Sequence, residues 1–78
     1  MEIERLQIVD TTLVECRDRG RTLLMLDGIK YEVHGGDTTK TIQWHPPTEV
    51  RIKTIQDSPD TYLITNLGNS ETAFAIKK

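Results

Sequence analysis

Apolar and polar positions along the chain follow the period of short strands. The pattern centres on Leu23-Leu24-Met25-Leu26-Asp27-Gly28-Ile29-Lys30-Tyr31-Glu32-Val33, where two strand-like runs flank an Asp-Gly pair. That pair predicts a two-residue type I′ hairpin turn, which needs positive φ at both central positions. The run before it is apolar on both parities. The run after it alternates, with Ile29, Tyr31 and Val33 on one face and Lys30, Glu32 and His34 on the other.

The same period of two recurs on either side. Residues 2–9 read as a strand first and a short helix second. A further element opens at Asp10-Thr11-Thr12, with Thr12, Val14 and Cys16 on one face and Leu13, Glu15 and Arg17 on the other. Arg17-Asp18-Arg19-Gly20-Arg21 is a polar turn with Gly20 as its positive-φ residue. Gly35-Gly36-Asp37 is another turn, and residues 39–45 predict a strand with Ile42 and Trp44 inward. Pro46-Pro47 ends that ladder, because neither proline offers a backbone N–H. Residues 49–56 place Val50 and Ile52 inward and Arg51 and Lys53 outward. Asp57-Ser58-Pro59-Asp60 turns the chain, and residues 61–65 form a strand with Tyr62 and Ile64 on one face. A loop at residues 67–70 leads to a last strand, 72–76, with Phe74 and Ile76 inward.

Six to seven short strands with turn-length connections predict a single all-β domain over residues 1–78. It is either a small antiparallel barrel (SH3-like, Sm-like or OB-like) or a compact sandwich. Composition adds constraints. A chain of 78 residues buries only roughly 60% of its unfolded surface. The lone Cys16 excludes an internal disulfide, and no Cys/His cluster has zinc-ligand spacing. Stability then rests on a well-packed core, helped by self-association. The net charge of −2 opposes strong non-specific nucleic-acid binding. No apolar run approaches the roughly 20 residues of a membrane span, and there is no signal-peptide core. A free cysteine without such a signal suggests a cytoplasmic setting.

Catalysis would need Cys16 activated by His34 or His45. Cys16 shares its face with Val14 and reads instead as a small buried hydrophobe. No phosphate loop, nucleophile elbow or metalloprotease motif is present, and Asp57 and Asp60 merely bracket a proline turn. The expectation is therefore no catalytic residue, no cofactor and no metal. Nucleic-acid binding has a basis in Arg17, Arg19 and Arg21 at one hairpin tip, with Arg51 and Lys53 on an outward face. Trp44 and Tyr31 would stack bases if exposed. With so few aromatics, a core position is the better assignment for both.

The stretch from Arg17, Gly20 and Leu23 through Asp27, Ile29, Val33 and Gly35 resembles the start of the carbon storage regulator family of RNA-binding proteins. Pro47-Thr48-Glu49-Val50-Arg51-Ile52 is similar to that family's later A-P-x-x-V-x-V segment. The resemblance implies RNA binding through arginines. The family's RNA-contacting arginine falls on Thr54 here, with Lys53 beside it, and a β-hairpin replaces the family's terminal helix. The segment from Tyr62 to Asn69 likewise resembles the closing hairpin of bacterial immunoglobulin-like modules.

Protein binding is the leading expectation. Exposed sheet edges invite strand addition or self-pairing. Leu13, Leu23, Met25 and Ile55 would supply an apolar contact patch, unless they complete the core of a closed barrel. The chain is thus read as a non-enzymatic, self-associating interaction module of the adaptor, accessory or inhibitor type that bacteria or phages encode. An RNA- or single-strand-binding regulator using Arg17, Arg19, Arg21, Arg51 and Lys53 is the alternative. A ligand-binding barrel ranks third, because side chains usually fill so small a barrel.

Overall fold

Six strands close on themselves. The computed structural model describes residues 8–55 and 58–78. The strands are β1 (Ile8–Arg17), β2 (Thr22–Met25), β3 (Lys30–Val33), β4 (Thr48–Ile55), β5 (Ser58–Asn66) and β6 (Thr72–Lys77). They form a closed antiparallel barrel in the order β1-β2-β3-β6-β5-β4. Two three-strand meanders are thus joined by one crossover, and the sandwich alternative is excluded. Most of the expected strand at residues 2–9, and Asp57 of the expected turn, lie outside the described residues. Ile8 and Val9 belong to β1, which runs through Asp10 without a break.

Closure removes the free edges that strand addition would need. It also settles which apolar residues are interior. Leu13, Leu23 and Met25 are buried with Tyr31, Val33, Trp44, Val50, Ile52, Ile64, Ala73 and Ala75. The contact patch expected from Leu13, Leu23, Met25 and Ile55 is therefore not on the surface, and only Ile55 is partly exposed. For Leu13 the cause is a β-bulge. Leu13 pairs with Met25 and Glu15 with Leu24, so Val14 is an extra residue. The bulge resets the parity of β1. Leu13 points inward before it, and Cys16 packs against the same core after it.

The hairpin at Asp27-Gly28 forms, with a longer turn than expected. Met25 N–H donates to Ile29 O at 3.0 Å, and Gly28 N–H donates to Met25 O at 2.9 Å. Only Gly28 has positive φ, at 91°. This is a three-residue loop ending in a left-handed glycine, the second common hairpin solution. Asp27 Oδ1 accepts the Ile29 N–H at 3.0 Å and fixes the exit.

Residues 39–45 are not a strand. A 3-10 turn at Gly35–Asp37 runs into a single helical turn, α1 (Thr38–Thr41). Ile42 is consequently exposed, whereas Trp44 is buried as expected. The crossover closes one end of the barrel. Trp44 Nε1–H donates to Glu71 Oε1 at 2.9 Å, and the Thr41 hydroxyl donates to Gly20 O at 2.6 Å. Asp37 Oδ2 accepts the Phe74 N–H at 2.8 Å, tying the crossover to β6.

The last strand has the opposite parity to that expected. Ala73 and Ala75 point inward, and Phe74 and Ile76 are 44% and 41% exposed. Tyr62 lies opposite Ala75, and Ile64 opposite Ala73. Two alanines leave room for the bulky side chains that fill the barrel from its other strands.

Candidate functional site

Three surface regions could carry function: the basic tip, the barrel end opposite Trp44 and the outer wall of β5 and β6. The basic tip comes from the turn after β1. Asp18, Arg19 and Gly20 all have positive φ, at 54°, 60° and 88°. The Thr22 hydroxyl donates to Asp18 Oδ2 at 3.0 Å and holds the turn. Arg17 is paired with Glu15 at 2.9 Å. Arg51 forks onto both Asp10 oxygens, at 2.8 and 3.1 Å. Each pair strengthens its members' charged states: the carboxyls of Glu15 and Asp10 are lowered by the hydrogen bond from their arginine, and both guanidinium groups are raised.

The five basic residues expected to contact RNA do not converge. Arg17, Arg19 and Arg21 lie at the end closed by Trp44. Arg51 pairs with Asp10, seven residues back along β1 from Arg17. At roughly 3.3 Å per residue this separation is about 20 Å. Two of the five are neutralised by neighbouring carboxylates. Tyr31 and Trp44, at 4% and 2% exposure, offer no surface for a base to stack on.

Cys16 is not paired with a histidine. Its thiol donates to Thr41 O at 3.3 Å, and desolvation raises it above the ordinary thiol value of 9.0. A raised thiol is protonated near neutrality and reacts slowly. Iodoacetamide is expected to modify Cys16 at least about tenfold more slowly in the folded protein than in urea. A rate equal to that of the unfolded chain would contradict this packing. The same shift fixes a sign for pH. Stability is full below the ordinary thiol value and falls as pH rises through the folded one, because the unfolded chain releases its proton first. Among the described residues no group of three or more His, Cys, Asp or Glu side chains is placed to hold a metal ion. No described helix is long and apolar enough to cross a membrane.

Among the described residues, the end opposite the Trp44 plug is left uncovered. Val9, Thr11, Ile29, Tyr31, Ile52, Thr54 and Tyr62 line a recess of about 170 Å³, with Asp27 and Lys77 also at it. The Tyr31 and Tyr62 rings meet edge to face at 5.5 Å, and Lys77 Nζ stands 5.7 Å from the Tyr62 ring centre. Burial, then Tyr62 and Asp27, raise the Tyr31 hydroxyl above its ordinary value of 10.0.

The outer wall is the third region. Lys53 on β4 is opposite Leu63 on β5, and Leu63 is opposite Phe74 on β6. The His34 ring stands edge-on to Phe74 at 6.5 Å. One step along, Thr61 is opposite Ile76, and Ile76 is opposite Glu32 on β3. Leu63, Phe74 and Ile76 thus form an apolar centre on β5 and β6; Lys53 and Glu32 lie on β4 and β3, on opposite sides of the six-strand barrel, and their outward side chains diverge. Among the described residues neither Lys53 nor Glu32 has an ion-pair partner. The sequence reading missed this wall because it turned Phe74 and Ile76 inward. The alternation of Ala73 and Ala75 with larger residues was the available signal.

Comparison with known protein families, with curated proteins and with solved structures finds no match in any of the three.

Proposed function

We propose that this chain is a non-enzymatic protein-interaction barrel that pairs with a second copy of itself through the outer wall of β5 and β6. The observation that carries this reading is the exposed apolar centre that Leu63, Phe74 and Ile76 make on β5 and β6, with Phe74 and Ile76 turned outward. A two-fold interface is self-complementary: residue i meets residue j, and j meets i. An axis lying in the wall between β5 and β6 sets Leu63 of each copy against Phe74 of the other, so apolar surface meets apolar surface. Closure of the barrel favours wall-to-wall pairing over edge-to-edge strand addition.

Phe74 is the central anchor in this arrangement. Aromatic anchors at an interface centre carry about 2 kcal/mol or more, roughly a 30-fold change in affinity. Phe74→Asp is expected to convert a dimer into a monomer in size-exclusion chromatography with light scattering. The circular dichroism spectrum and melting cooperativity should persist, because the side chain points outward. A wild-type chain that runs as a monomer throughout, or a Phe74→Asp dimer, would contradict the proposal.

A further inference from the structure

Beyond self-association, we infer that the open end of the barrel is a binding pocket for a small neutral aromatic molecule bearing one hydroxyl group. Five of the six strands, or the turns beside them, converge there. Val9 and Thr11 come from β1, Ile29 and Tyr31 from the β2–β3 hairpin, Ile52 from β4, Tyr62 from β5 and Lys77 from β6. The opposite end is filled by Trp44, whereas this end keeps a recess of about 170 Å³. A protein cavity of about 150 Å³ accepts benzene, so the space suits a single six-membered ring.

The key group is Tyr31. It is only 4% exposed, it lines the recess, and its hydroxyl has no hydrogen-bond partner among the described residues. Its hydroxyl oxygen is nevertheless not sealed from solvent, since no buried side-chain polar atom among the described residues lacks a partner. A hydroxyl without a protein partner on a residue that lines the recess is a ready partner for a ligand group there, because a polar group that leaves water gains from a hydrogen bond. The walls made by Val9, Ile29, Ile52 and the Tyr62 ring suit an apolar ring. Asp27 and Lys77 stand at the same recess with opposite charges, so neither an anion nor a cation is favoured. Asp27 is in addition held in its own turn by the Ile29 N–H.

The probe is p-cresol, titrated into the isotope-labelled protein and followed by amide chemical shifts. Saturable shifts are expected at Thr11, Ile29, Tyr31 and Tyr62, with p-cresol binding about fivefold more tightly than toluene, the value of one net hydrogen bond. Tyr31→Phe should abolish that preference while leaving toluene binding unchanged. Val9→Trp, at a half-exposed position, should fill the recess and remove binding of both. Butylammonium and isovalerate should bind more weakly than p-cresol. The inference is overturned if p-cresol gives no saturable shift, if the shifts map to Leu63 and Phe74, or if either charged probe wins. N-acetyl-tyrosinamide binding more tightly than p-cresol would assign the recess to a polypeptide side chain and overturn the free-molecule reading. None of these outcomes depends on the oligomeric state, so the pocket and the self-association proposal stand or fall separately.

Discussion

Trp44→Ala is expected to destabilise the barrel by about 3–5 kcal/mol, the usual cost of truncating a buried tryptophan. Trp44 is 2% exposed and plugs the end that the crossover closes. Its indole N–H donates to Glu71 at 2.9 Å, so truncation removes both packing and the partner of a half-buried carboxylate. A chain of 78 residues holds only about 4–12 kcal/mol of total stability at the usual value per residue. Trp44→Ala should therefore lose at least about a quarter of that stability, and nearly all of it at the low end of the range. Trp44→Phe keeps most of the volume and loses the hydrogen bond, at about 1–2 kcal/mol. Urea titration followed by far-ultraviolet circular dichroism checks both, since tryptophan fluorescence is lost with the residue. Equal midpoints for wild type and Trp44→Ala would mean that Trp44 does not plug the barrel.

Gly20→Ala should be the second most damaging change. A Cβ at Gly20 would lie 2.7 Å from Thr41 Oγ1, 2.8 Å from Ile42 N and 2.9 Å from Thr38 O. Two of those atoms are backbone and cannot rotate away. The residue also has φ +88°, in the left-handed region that costs an L side chain about 1 kcal/mol or more. Overpacking and backbone strain together predict about 3 kcal/mol, or roughly 12–24 °C in melting temperature for a domain of this size. Two other glycines separate the contributions. Gly28 has φ +91° with nothing within 4 Å of its added Cβ, so Gly28→Ala should cost only the conformational part, about 1 kcal/mol. Gly36 has open space and no positive φ, and Gly36→Ala should be close to neutral. Calorimetry that ranks the three otherwise would contradict the close packing of the β1–β2 turn on α1.

The strand pattern was legible wherever one face is polar. Ile29, Tyr31 and Val33 turned inward as their alternation indicates, as did Val50 and Ile52. It failed where both parities carry apolar residues. In Thr72-Ala73-Phe74-Ala75-Ile76 either set could face the core, and side-chain size favours the wrong one. The available volume decides, and that volume is set by Tyr62 and Ile64 on a different strand. In β1 a single extra residue, Val14, overrode strict alternation and moved Leu13 from a supposed surface patch into the core. Residues 39–45 carry β-favouring threonine, isoleucine and tryptophan, yet the chain must there cross from β3 to β4 over the barrel end. A helical turn makes that crossing, against local propensity. The basic residues were legible as types, but their neutralisation by Glu15 and Asp10 depends on pairing. Glu15 is local to Arg17, whereas Asp10 meets Arg51 only through the β1–β4 ladder. The Leu63–Phe74 wall needed the β5–β6 register, which neither strand encodes alone.

Self-association through the β5–β6 wall is tested most directly by complementary substitution at Leu63 and Phe74, which meet across the proposed axis. Leu63→Lys alone sets a lysine against the native Phe74 of the other copy, and Phe74→Asp alone sets an aspartate against the native Leu63. Each variant alone should sediment as a monomer, or as a dimer weakened at least about tenfold, since an unpaired charge buried at an interface costs upwards of about 1.4 kcal/mol. In an equimolar mixture the introduced lysine meets the introduced aspartate at one contact, and native Phe74 meets native Leu63 at the other. Sedimentation velocity of that mixture should show a heterodimer, strongest at low salt. Two variants that dimerise unimpaired alone, or a mixture that remains monomeric, would contradict the proposed wall.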